Sequence, residues 1–384
     1  MKSLKRIVSL LLAACMLCGV TVLGGCGGSG KASPLKDRSI LHEPEFGGVY
    51  ITAAIDEFND LGYRYGDSVD VTFSNGYRLE DQPYYNGYYT ENGESLLVAY
   101  PGYDYIKACI NNGDDLWVVA GLTEEDTATV TLRQRGKYLP IQDARDIHYT
   151  DLREDYDSDE MFANFRSVSV TGIAGGTLYR SASPCDNQHK RAPYVDDLID
   201  SAGVRCILNL ADSDEKIHGY IDAGDFDSPY FLSLYEGGHV IPLALNMNFS
   251  SEAFAQKLVA GLTAMAGQEG PYLVHCTEGK DRTGFVCLLL EALCGAGYQE
   301  IVDDYMITYA NYYRIDLSRD PDRYGVIVEH VLDPMIRVVA GDDDVPLQEA
   351  NLAAGARRFL LEGGMEAEQI ALLVQRLSTP AAWK

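Results

Sequence analysis

The 384-residue chain carries 57 acidic against 31 basic side chains, a formal net charge of -26. That acidity excludes a broad nucleic-acid-binding or anionic-membrane surface, and any phosphate-bearing ligand needs positive charge concentrated locally. With 46% hydrophobic and 23% charged residues, the chain is globular in composition and long enough for two domains with a sizeable core.

The first residues read as an export signal. Lys2, Lys5 and Arg6 form a basic start, and Ile7 to Val22 is an apolar run too short for a membrane span with those flanks. It ends in Leu23-Gly24-Gly25-Cys26, which resembles a bacterial lipobox and implies cleavage before Cys26 and a lipid on its thiol, with a plain signal peptide or a short membrane anchor as the competing reading. Residues 1–25 are thus the expected signal and 26–44 a tether, with Gly27 to Pro34 its flexible part. The expected location is the outer face of a bacterial cytoplasmic membrane, with the lipid anchor as the sole membrane contact.

Residues 45–160 read as a smaller, strand-rich α+β domain. Ile51 to Tyr63 suggests a short helix. Asp67 to Ser74 alternates as a strand does and stops at the turn signal Asn75-Gly76. Ser95 to Tyr100 and Leu116 to Ala120 are short apolar runs, and Thr127 to Leu132 alternates again. Tyr84, Tyr85, Tyr88 and Tyr89 fit cross-strand packing better than a ligand platform.

The rhythm then changes. Gly176 to Arg180 is a candidate edge strand, Tyr194 to Ala202 a helix, and Val204 to Leu210 and Val240 to Leu245 buried strands. Ser250 or Ser251 can cap a helix whose Phe254, Leu258, Leu262 and Met265 share a face. Tyr272 to Val274 is a short strand, Gly284 to Cys294 a helix apolar nearly all round, and Tyr298 to Tyr313, 346–362 and 366–378 are further helices. Strands and helices in alternation predict an α/β layer with a largely parallel sheet over 161–384.

Between the strand and the apolar helix lies His275-Cys276-Thr277-Glu278-Gly279-Lys280-Asp281-Arg282-Thr283-Gly284. A Cys and an Arg five residues apart are a weak signal alone, since Cys185 and Arg191 match it too. The strand-loop-helix setting gives this copy meaning. Backbone N–H groups turning into a helix N-terminus form an anion nest, and Gly279 permits the bend. Arg282 offers a planar fork to two phosphate oxygens. The same positive field favours the Cys276 thiolate, to which Thr283 can donate a hydrogen bond. His275, at the strand end, is read as holding the loop. Thr277 to Arg282 are the expected phosphate-binding residues.

His-Cys-x-x-Gly-Lys-Asp-Arg-Thr-Gly resembles the signature of cysteine-based phosphatases, especially the secreted bacterial tyrosine and phosphoinositide phosphatases. Asn164-Phe165-Arg166, Leu178-Tyr179-Arg180-Ser181 and Ile301-Val302-Asp303-Asp304-Tyr305 resemble flanking parts of that group. The resemblance covers about 161–384. It implies a protein-tyrosine-phosphatase-like fold with flanking helices, Cys276 as nucleophile, Arg282 as phosphate clamp, a phosphocysteine intermediate and neither metal nor cofactor. It also implies a phosphorylated protein or an inositol phosphate as partner. Two positions depart from the pattern. Ser167 stands where Asp usually follows the first patch, and Leu245-Asn246-Met247-Asn248 lacks the usual general-acid Asp.

A proton donor is still required, because an alkoxide leaves poorly. Asp281 is the first candidate, with an ion pair to a neighbouring base as its competing role. Asp212 and Asp214 are the alternatives. Lys280 can hold a second phosphate or simply raise the loop's potential. Arg166 and Arg180 can brace the loop, meet substrate or form surface salt bridges. His148, His189, His218 and His239 have no metal-ligand spacing, the free cysteines fit neither a zinc site nor a disulfide scaffold, and Asp342 to Asp344 read as a solvated break between helices. The expected activity is hydrolysis of phosphate monoesters, first of all phosphotyrosine. An inositol phosphate or phosphoinositide substrate, or a catalytically weak phosphate-binding module, are the competing readings.

Overall fold

The structure, a computed structural model, describes residues 32–341 and 345–380. The signal, Cys26 and Asp342 to Asp344 therefore lie outside the described residues. Seven strands come first: β1 (Leu35–His42), β2 (Val49–Ile51), β3 (Ser68–Phe73), β4 (Arg78–Tyr85), β5 (Ser95–Val98), β6 (Ile106–Ile110) and β7 (Thr127–Gln134). They close into a barrel in the order β1-β2-β6-β5-β4-β3-β7, which leaves no sheet edge exposed. Period-2 alternation dictates the interior. Val69, Val71 and Phe73 of β3 meet Ala128 and Val130 of β7 inside, while Asp70 and Thr72 face outward. Helices α1 (Ile55–Asp60), α2 (Leu116–Val119) and α3 (Leu139–Arg145) fill the connections. The barrel begins earlier than the sequence suggests. β1 occupies part of the expected 26–44 tether, because Leu35 and Ile40 are core residues. The apolar run at Leu116 is the helical turn α2, started by Asp115, whose carboxylate accepts the Trp117 N–H at 3.0 Å.

The second domain runs through α4 (Asp159–Phe162), β8 (Arg166–Ser167), β9 (Leu178–Ser181), α5 (Ala192–Ser201), β10 (Cys206–Asn209), α6 (Asp214–Asp222), α7 (Pro229–Glu236), β11 (Val240–Pro242), α8 (Glu252–Ala266), β12 (Tyr272–His275), α9 (Asp281–Cys294) and α10 (Tyr298–Tyr313). It ends in α11 (Pro321–Ile327), a π-helical turn at Val328–Leu332, α12 (Asp333–Ala340), α13 (Leu352–Glu362) and α14 (Ala367–Ser378). The sheet order is β11-β10-β12-β9-β8, parallel throughout except for the β8–β9 pair. Expected at an edge, β9 is instead interior, because the two-residue β8 covers it. Alternate strand residues feed two cores. Cys206, Leu208, Tyr272 and Val274 pack toward α8, α9, α10, α13 and α14, while Ile207 and Leu273 pack toward α5, α6 and α7. Central β12 thus delivers its C-terminal end, where parallel sheets present ligand sites, to the start of α9. The barrel rests on this domain, and Asn92 Nδ2 donates to the Met247 carbonyl at 3.0 Å.

Candidate active site

The segment between β12 and α9 is shaped by what holds its carbonyls. The Thr277 oxygen accepts the Ser183 N–H at 3.1 Å. The Glu278 oxygen accepts the Tyr312 hydroxyl at 2.8 Å. The Gly279 oxygen accepts Asn164 Nδ2 at 3.2 Å and Arg180 Nη2 at 3.1 Å. Three successive carbonyls are fixed outward, so planar peptides turn the intervening N–H groups to the other side. Among the described residues, none of the N–H groups of Thr277 to Asp281 donates to a backbone carbonyl. Gly279 has φ +70°, and a Cβ there would lie 2.3 Å from the Ser181 oxygen. Glycine is required both by the left-handed bend and by the approach of β9.

Cys276 stands at the head of this nest, 3% exposed. Arg282, the second residue of α9, is aimed by two acceptors: Nη1 donates to the Leu245 carbonyl at 3.1 Å and Nη2 to Thr277 Oγ1 at 3.4 Å. The loop after β11, which lacks the usual acid, therefore positions the arginine. His275 is buried. Its Nδ1 lies 3.2 Å from the Cys276 carbonyl, and Nε2 has no hydrogen-bond partner among the described residues. Burial pushes its pKa down to about 4, so the ring is neutral. The Thr283 hydroxyl is buried without a hydrogen-bond partner, so the expected bond to the Cys276 sulfur is not formed among the described residues.

Lys280 is one-fifth exposed and closely engaged. Its Nζ lies 3.3 Å from Glu278 Oε2, 3.8 Å from Asp281 Oδ2 and 3.2 Å from the Tyr313 hydroxyl. Burial opposes its charge, but Asp281 and Glu278 outweigh burial and hold its pKa well above the usual value. Glu278 also accepts the Tyr149 hydroxyl at 2.8 Å, and burial of its carboxylate is more than offset by Lys280 and Tyr149. Asp281 is one-third exposed. With Lys280 it borders a cleft of about 400 Å³. Tyr89 and Arg145 of the barrel domain and Phe249, Tyr309 and Tyr313 of the second domain also line that cleft.

The remaining sequence candidates fall elsewhere. Asp212 is fully buried among Asn209, Tyr220 and Lys216, whose Nζ lies 2.9 Å away. Burial works against its charge, yet the hydrogen bonds from Lys216 and Asn209 hold it below the usual range, so it is kept as a carboxylate. Asp214 sits at the exposed start of α6, bound by Tyr235 at 2.6 Å. Cys185 is buried 3.4 Å from Ser183 Oγ. Arg191 is enclosed by Tyr149, Phe162 and Tyr312, with its guanidinium carbon 4.8, 4.7 and 5.0 Å from those rings. The second Cys/Arg pair is therefore no phosphate loop. Arg166 and Arg180 are not surface ion pairs: both are buried against Asp304, at 3.1 and 2.6 Å. No cluster able to hold a metal occurs among the described residues. The bracing roles of Tyr149, Tyr312 and Asp304 escaped sequence reasoning; only Asp304 lay in a flagged motif.

A family model described as the tyrosine phosphatase family matches residues 160–378. Among solved structures, the core catalytic domain of the PP-IP phosphatase SIW14 from S. cerevisiae, in complex with citrate, is 20% identical. That match covers 48% of this chain and 96% of that one, with a TM-score of 0.26. An uncharacterized conserved protein from Thermotoga maritima is 17% identical, with 27% of this chain covered and a TM-score of 0.22. The chain spans only 39% of that protein's length. No curated protein matches the chain.

Proposed function

This chain belongs to the tyrosine phosphatase family and is a phosphoric monoester hydrolase, and we propose that it dephosphorylates phosphotyrosine in proteins through Cys276. The substrate's phosphate occupies the nest of N–H groups, with Arg282 on two of its oxygens. The Cys276 sulfur attacks phosphorus, the P–O bond breaks, and Asp281 protonates the departing oxygen. Water then attacks the phosphocysteine and the P–S bond breaks. Asp281 takes the water's proton, and phosphate and free Cys276 are released.

The observation carrying the substrate choice is the engagement of Lys280 by Glu278, Asp281 and Tyr313. Its charge is already compensated, so a second phosphate gains little from it. The aromatic walls of the cleft, Tyr89, Tyr309 and Tyr313, suit an aryl ester instead. The test compares kcat/KM for a phosphotyrosine peptide and an inositol polyphosphate, with Cys276→Ser as the blank. Faster turnover of the inositide, lost in Lys280→Ala, would reject the phosphotyrosine reading. Turnover that survives Cys276→Ser would reject the nucleophile.

The leader and Leu23-Gly24-Gly25-Cys26 support export with lipid attachment at Cys26, on the outer face of a bacterial cytoplasmic membrane. A Cys26→Ala chain is then expected in the soluble exported fraction. Unchanged membrane retention would count against the anchor.

A further inference from the structure

Two clefts meet where the barrel rests on the phosphatase domain. One, of about 400 Å³, receives Lys280 and Asp281. Its neighbour, of about 500 Å³, runs along the barrel past Glu94. They share Tyr89, Thr90, Glu91 and His330, so they adjoin as one groove over the barrel, bordered at one end by Lys280 and Asp281 of the phosphate loop. A phosphotyrosine side chain or an inositol ring fills only its first part, and the remaining length suits an extended polypeptide.

The groove's charge changes along its course. Lys280 and Arg145 stand near the loop, whereas Glu91 and Glu94 stand on the barrel side. These two are neighbours, since the Glu91 N–H donates to Glu94 Oε2 at 3.3 Å. Among the described residues neither carboxylate belongs to an ion pair, whereas Asp81 in the same groove is held by Lys137. Burial and the charge of Glu94 push the Glu91 carboxyl up, against the opposing influence of His330 in the same groove. Gln82 Oε1 and Thr90 Oγ1 in the wall have no hydrogen-bond partner among the described residues. The loop bearing Glu91 is well braced. The Tyr89 ring packs so closely on Gly87 that a Cβ there would meet it at 2.5 Å. Arg145 lies 5.4 Å from the centre of the same ring, and Asn92 is tied to Met247.

Resting on the phosphotyrosine reading above, we infer that this groove holds the polypeptide flanking the phosphotyrosine, and that Glu91 and Glu94 select Lys or Arg in it. The barrel is thereby the substrate-selecting part of the enzyme.

The test is the affinity of the Cys276→Ser chain for paired phosphotyrosine peptides that differ only in Lys/Arg or Glu flanks, so that binding is read without turnover. The basic peptide is expected to bind about fivefold tighter at low salt, the scale of two rim charge pairs. Adding Glu91→Gln and Glu94→Gln should remove that advantage without weakening the acidic peptide, which also shows that the groove remains folded. Equal affinity for both peptides overturns the inference. So does a preference that survives the glutamines, or an inositol polyphosphate that binds tighter than either peptide. Glutamate-dependent binding of basic peptides that the wild-type chain never hydrolyses would support the groove and sink the phosphotyrosine reading instead.

Discussion

Arg180 donates from Nη2 to the Gly279 carbonyl at 3.1 Å, and its Nη1 holds Asp304 at 2.6 Å. A carboxylate on α10 thus fixes, through one buried guanidinium, the carbonyl behind the phosphate loop. Burial opposes the Asp304 charge, but Arg166 and Arg180 outweigh it and bring its pKa down to about 2. Asp304→Ala leaves two buried cations without their anion. The expected loss is about 3–5 kcal/mol of stability, measured by urea unfolding. A loss comparable to that of an exposed ion pair would show that Asp304 does not carry this brace.

Gly279→Ala should separate folding from catalysis. The added methyl meets the Ser181 backbone and is strained at φ +70°, so the loop must shift away from β9. A displacement of about 1 Å at a reacting centre costs on the order of a hundredfold in rate. Hydrolysis of para-nitrophenyl phosphate should fall by about that factor while the chain remains folded, since the loop is not part of either hydrophobic core apart from Cys276.

The legible part of this protein was the part governed by local chemistry. The loop residues Cys276 to Arg282 announce an anion nest because the strand before them and the apolar helix after them are both short-range signals. The barrel was legible as strands but not as a closed barrel, because closure depends on β1 meeting β7, about ninety residues apart. β1 itself was hidden, as Asp37 and Arg38 interrupt its alternation and a bulge falls between Leu35 and Arg38. The burial of Arg180 was equally invisible, since a lone arginine on a strand reads as surface until Asp304 is seen beneath it. The groove at Glu91 could not be read at all, because it exists only where two domains touch.

His275 sets a pH dependence of stability. Burial lowers its folded pKa to about 4 from the ordinary 6.5. As pH falls, the unfolded chain takes this proton first, so stability is whole above about pH 6.5 and is lost as pH falls toward about 4. His275→Gln should flatten the unfolding free energy across that window. A slope unchanged in the variant would assign the loss to other groups.

Asp281 offers the sharpest test of the chemistry, because its two possible roles differ in their dependence on the leaving group. As a proton donor it matters most when the departing oxygen is basic. Asp281→Asn should then slow an alkyl phosphate by about a hundredfold or more, yet slow para-nitrophenyl phosphate far less, since nitrophenolate departs without a proton. As a mere partner of Lys280, 3.8 Å away, it would change both substrates alike. Asp212→Asn provides the contrast. That side chain is a buried carboxylate 2.9 Å from Lys216, so its loss should lower stability and leave the ratio of alkyl to aryl rates where it was. A rate ratio that moves in Asp212→Asn and stays fixed in Asp281→Asn would exchange the two assignments.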